Sequence, residues 1–130
     1  MIGVSLPFAW LKSGTGLDVD REDLFQKLNE RGVRSIELRT VAPAHSSDDV
    51  SAVANMLWDH GFLISVHGRV RSAKTAVSDV FSPLQKILTS LRQAKLNITV
   101  HPIKGDNVAM LCELADYVEN NDLPVTIALE

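Results

Sequence analysis

Ile98-Thr99-Val100-His101-Pro102 alternates branched apolar residues with polar ones until a proline ends the run. That period of two belongs to a β-strand, whose successive side chains point to opposite faces. The phrase has a close echo in Ile64-Ser65-Val66-His67-Gly68. Looser versions stand at Ile2-Gly3-Val4-Ser5-Leu6, Ser35-Ile36-Glu37-Leu38-Arg39 and Val125-Thr126-Ile127-Ala128-Leu129-Glu130. Sorted by parity, one face is apolar throughout (Ile2, Val4, Leu6, Ile36, Leu38, Ile64, Val66, Ile98, Val100, Val125, Ile127 and Leu129). The other is small and polar and ends in ionisable groups: Gly3, Ser5, Ser35, Glu37, Arg39, Ser65, His67, Thr99, His101, Thr126, Ala128 and Glu130.

Between these strands the pattern changes to that of helices. Pro7 to Val19 reads as a loop with Gly14, Gly16, Phe8 and Trp10. Asp20 then caps a helix with Val19 placed to staple against Leu24, and Gly32 stops it. Ser46 or Ser47 caps a second helix, whose stripe is Val50, Val53, Ala54 and Leu57 and whose end is Gly61. Gly68 to Val80 is less regular. Ser82-Pro83-Leu84-Gln85 reads as a serine-capped start with proline in the first turn, followed by the stripe Leu84, Ile87, Leu88 and Leu91. Asp106 caps the last helix, with a stripe at Val108, Leu111, Ala115 and Val118. Strands recur about every 30 residues, as βαβ units require.

The fold class expected is therefore α/β, a (βα)4β parallel sheet, in a single domain over residues 1–130. A flavodoxin-like doubly wound sheet is the alternative, but its helices cover both faces and its strands are apolar on both. A uniformly polar face suits a sheet with helices outside only, curled so that this face becomes a barrel interior. A full (β/α)8 barrel takes about 250 residues, so the chain corresponds to half of one. The second half would come from a partner copy in a homo-oligomer, from a missing C-terminal half, or from a local rearrangement.

The net charge of −3 argues against a protein that coats nucleic acid by charge alone. One cysteine, Cys112, leaves no intramolecular disulfide, and no stretch has the length of a membrane span or the form of a signal peptide. A cytoplasmic protein without membrane partners is expected. Cys112, Met56 and Met110 fall in helical stripes as packing residues, and His45 and His60 are given no role.

In parallel α/β folds of barrel type, chemistry gathers at strand C-termini and the loops after them. Those positions hold Glu37, Arg39, His67, Arg69, His101, Lys104 and Glu130. Imidazoles and a carboxylate converging on one rim suit a divalent metal such as zinc or manganese. Lys12, Arg39, Arg69, Arg71, Lys74 and Lys104 follow strand ends as well, which suits an anionic ligand held by guanidinium groups. Trp10 is placed either to stack on a sugar ring or to cover the barrel mouth.

The set Ile36-Glu37-Leu38-Arg39, Ser65-Val66-His67-Gly68, Thr99-Val100-His101-Pro102 and Ile127-Ala128-Leu129-Glu130 resembles the xylose isomerase-like TIM-barrel superfamily, over the first five of that family's eight strands. The family includes sugar and sugar-phosphate isomerases and epimerases and the endonuclease IV type of nuclease. The resemblance implies that Glu37 lies near substrate and that His67 and His101 line the site, as metal ligands in the nuclease branch. It implies that Glu130 is a metal ligand in both branches. It further implies a metal-dependent sugar or sugar-phosphate isomerase or epimerase, with Glu37 and Glu130 catalytic and an active site incomplete in this chain; the strand-end charges and the aromatic ring themselves add Arg39, Arg69, Lys104 and Trp10 as contacts to an anionic sugar-type molecule. A non-catalytic self-associating half barrel and a zinc phosphodiesterase fragment are the other readings.

Overall fold

The computed structural model describes residues 2–12 and 20–130. Gly14, Gly16 and the expected Val19 staple lie outside the described residues. Five strands form one all-parallel sheet in the order β1-β2-β3-β4-β5. They are β1 (Ile2–Pro7), β2 (Val33–Val41), β3 (Leu63–Gly68), β4 (Leu96–Val100) and β5 (Val125–Leu129). The helices are α1 (Phe8–Leu11), α2 (Arg21–Glu30), α3 (Ser47–Asp59), α4 (Ala76–Phe81), α5 (Gln85–Thr89) and α6 (Asn107–Asn120).

Register lines up the two faces. Leu6, Leu38, Val66, Ile98 and Ile127 run across the sheet as one apolar row, and Ser5, Glu37, Ser65, Asn97 and Thr126 form the polar row on the other side. The apolar face packs into a single core with Phe25, Val50, Val53, Leu57, Phe62, Leu84, Ile87, Met110 and Leu114. The polar row is half-buried or exposed from end to end, so among the described residues no helix covers it. Strand order explains this one-sidedness. Right-handed crossovers that always step the same way along a sheet leave all their helices on one face.

Local chemistry sets the starts of α2, α3 and α6. The side chains of Asp20, Ser46 and Asp106 accept from the backbone N–H of Asp23, Asp49 and Ala109, filling donors that a helix start leaves empty. Gly32 (φ 81°) and Gly61 (φ 86°) take the left-handed turn that closes α2 and α3 before the next strand. Gln93 acts as a patch on β3: its amide oxygen accepts from Ile64 N–H and its amide nitrogen donates to Ile64 O, at 2.9 and 2.7 Å. β4 first pairs with β3 at Ser65, so this side chain satisfies backbone groups that the ladder does not reach.

Four expectations need correction. Ser82 is not a helix cap: a helix already runs over Ala76–Phe81, and Ser82–Leu84 is a 3-10 turn leading into α5. Pro83 lacks the N–H that a continuous α-ladder would use there. The buried face of α6 is shifted, with Met110 and Leu114 fully buried and Val108 72% exposed. Cys112 is exposed and does not pack in the core. Phe8 to Leu11 also forms a helical turn instead of open loop, because Phe8 and Leu11 are both buried under the sheet edge.

Candidate functional site

A cleft of about 420 Å³ opens at the C-terminal end of the sheet, lined by Arg39, Thr40, His67, Gly68, Arg69, Val70, His101 and Pro102. β2 and β3 supply Arg39, Thr40 and His67, and the loops after β3 and β4 supply the rest. The His67 and His101 rings lie on the same side of the sheet, with centroids 4.2 Å apart and planes tilted by 56°. His67 is half-buried, and its Nε2 is buried with no hydrogen-bond partner. A buried nitrogen left unpaired carries a desolvation cost of about 1–3 kcal/mol.

The β2 side of the cleft depends on an irregular strand. Leu38 pairs with Val66 and Val41 with Gly68, so two residues of β2, Arg39 and Thr40, stand against His67 alone. Leu38 and Val41 are three apart in sequence and would face opposite ways in a regular strand. The extra residue turns both into the core, where they are 0% and 1% exposed, and leaves Arg39 and Thr40 facing the cleft. Thr40 absorbs the geometry with φ of 59°, a left-handed backbone that a β-branched residue adopts only under strain.

The loop after β3 is pinned from below. Asp79 is buried in α4, and its carboxylate accepts from the backbone N–H of Arg71 at 2.8 Å, from the Arg71 guanidinium at 2.7 and 3.0 Å, and from the Thr75 hydroxyl at 2.8 Å. Burial pushes this carboxyl up, but the bonds from Arg71 and Thr75 outweigh burial and leave it below its ordinary value. Arg71 is thus a structural clamp and not a free rim charge. Lys12 likewise pairs with Asp49 at 3.4 Å.

The expected site residues divide. Arg39, Arg69, His67 and His101 come together in the cleft. Glu37 lies in the row below, accepts from the Ser5 hydroxyl at 2.9 Å, and lines a separate shallow hollow with Ser35 and Ser65 on the polar face. Trp10, on α1 and 43% exposed, and Lys104, exposed in the loop after β4, do not line the cleft. Glu130 continues the ladder by one bond, its N–H donating to Val100 O at 3.0 Å, which sets it beside His101 in register. Among the described residues no three His, Cys, Asp or Glu side chains converge to hold a metal ion. The chain supplies two imidazoles at one point and a carboxylate on the next strand, so a tetrahedral site would need further ligands.

Sequence reading missed Thr40 and Asp79. Thr40 was marked only by the odd spacing of Leu38 and Val41, and Asp79 only by an acidic residue on the apolar face of α4. Comparison with protein-family models, with curated proteins and with solved structures finds no match to this chain.

Proposed function

We propose that this chain is the first half of a (β/α)8 barrel of the xylose isomerase-like type, and that it contributes part of the active site of a metal-dependent sugar isomerase or epimerase. The observation that carries the reading is the pairing of His67 and His101 at the C-terminal rim of a sheet whose polar face has no helix on it among the described residues. A doubly wound sheet reverses its strand order and covers both faces, whereas here the order is sequential and the helices lie to one side. In a barrel, the row Ser5, Glu37, Ser65, Asn97 and Thr126 would be interior layer and the cleft part of the mouth. A divalent ion, when bound, supplies polarisation of a carbonyl and hydroxyl. His67, His101 and Glu130 are this chain's contribution to the rim that would hold it, the remaining ligands coming from the other half.

The test is interconversion of aldose and ketose phosphates, or of epimers, by the protein in its native assembly with zinc or manganese supplied. The expected result is turnover that falls about a hundredfold or more in Glu130→Gln. Turnover unchanged by Glu130→Gln and by His101→Ala would sink the reading.

A second reading is favoured by the sheet edges. Ile2 on β1 and Leu129 on β5 are 55% and 42% exposed, and both edges carry unpaired backbone groups. A non-catalytic half barrel that associates with its own copy would cover them. A stable metal-free dimer without turnover on any sugar tested supports that form.

A further inference from the structure

The charges of the cleft are one-sided. Arg39, Arg69, His67 and His101 line it and, among the described residues, no carboxylate does, in a chain whose acidic residues outnumber its lysines and arginines by 16 to 13. The arginines elsewhere are occupied: Arg71 is clamped on Asp79, Arg92 bonds Asp59 and Asn55, and Arg21, Arg31 and Arg34 donate to backbone carbonyls. Arg39 and Arg69 are the two arginines that make no hydrogen bond or ion pair to protein among the described residues, and both line this one cleft. Both guanidinium groups are exposed and, among the described residues, have no acid beside them in the cleft, which leaves them open to an anion.

We propose that the cleft is a binding site for the phosphoryl end of a small phosphate monoester, gripped by Arg39 and Arg69. A phosphoryl group carries up to two negative charges and three acceptor oxygens, so it answers two guanidinium groups more fully than a singly charged carboxylate does. Val70 and Pro102 give the apolar wall against which the rest of the molecule lies. The volume of about 420 Å³ fits a small molecule and not a polymer. The proposal deepens the sugar isomerase reading by naming the substrate's charged end, and it rests on that reading only in calling the ligand a substrate.

The experiment is titration of the protein by calorimetry and by amide chemical shifts in a metal-chelating buffer. The probes are inorganic phosphate, glucose 6-phosphate, gluconate, glucose and a short single-stranded oligonucleotide. Glucose 6-phosphate should bind with shifts centred on residues 39–40, 67–70 and 101, more weakly as salt rises, with inorganic phosphate sharing the site. Arg39→Gln and Arg69→Gln should each weaken binding about tenfold or more, and Arg31→Gln, outside the cleft, should leave it unchanged. Both cleft arginines are exposed and unbonded, so these variants keep the fold, which their unchanged melting temperature checks. Equal binding of glucose, retention of binding in both cleft variants, or tighter binding of gluconate or of the oligonucleotide overturns the proposal. Because the titration needs neither metal nor turnover, phosphate binding without isomerase activity removes only the catalytic reading. Activity on sugar phosphates without binding in this cleft removes only this one.

Discussion

At the scale of single residues, the two histidines outside the cleft are structural, and the signs of their shifts can be worked out. His45 accepts from the Ala42 N–H on Nδ1 at 2.9 Å and lies against Phe8. Burial, with Lys12 nearby, lowers its pKa from 6.5. A base lowered in this way contributes stability above that value, lost as pH falls through its folded value. His60 is the reverse case. Its ring bonds the Glu22 carboxylate at 3.0 Å and the Met56 carbonyl at 2.7 Å, and these raise its pKa from 6.5. Its contribution is full below 6.5 and lost as pH rises through its folded value. Ring-proton NMR titration should therefore place the His45 midpoint below that of His60; the opposite order contradicts both environments.

Asp79 is the residue whose loss should cost most outside the apolar core. Asp79→Ala leaves the Arg71 N–H and Thr75 hydroxyl without their acceptor and should cost about 2–3 kcal/mol in urea unfolding. Since the folded carboxyl sits below its ordinary value of 3.8, the stability it confers is present above that pH and lost as pH falls through the lower folded value. The variant's deficit should accordingly shrink in acid. A deficit independent of pH would mean that packing, not charge, holds the loop after β3.

At the scale of elements, what was legible in the sequence was what short-range chemistry decides. The alternation of Ile64-Ser65-Val66-His67 fixes a strand and its faces, and Asp20, Ser46 and Asp106 cap helices because each needs only a donor three residues on. The failures are long-range. Ser82-Pro83 has the local form of a helix start, but Phe81, stacked on Tyr117 of α6 at 4.8 Å, holds an earlier helix in place. The stripe of α6 was read one position off because Val108 and Met110 are both apolar, and only the packed core chooses Met110. The bulge in β2 was hidden because an extra residue leaves no mark on composition. It makes a sharp prediction. Thr40→Gly exchanges strain of about 1–2 kcal/mol for a similar entropy cost and should change stability by less than about 0.5 kcal/mol. Deleting Thr40 should turn Val41 out of the core and cost about 2–3 kcal/mol. Equal losses from the two changes would contradict the bulge as the device that aims Arg39.

At the scale of the whole molecule, the sheet's two faces are unequal in a way that burial explains only halfway. The apolar face is sealed by helices, while the row Ser5, Glu37, Ser65, Asn97 and Thr126 has none over it among the described residues. All-parallel sheets are ordinarily covered on both sides. The half-barrel account resolves this by making the polar row an interior and the cleft a fraction of a mouth. The same account explains why the candidate site was only partly legible. Strand-end position in the sequence put His67, Arg69, His101 and Glu130 on one rim, but it could not show which of them meet. The test that bears most directly on the account is an experimental structure of the protein in its native assembly. The account predicts strands paired to the free edges of β1 and β5 and the polar row enclosed with the His67–His101 cleft at one end. A helical layer packed on that row, or an assembly in which both edges stay unpaired and the row faces open solvent, would contradict it.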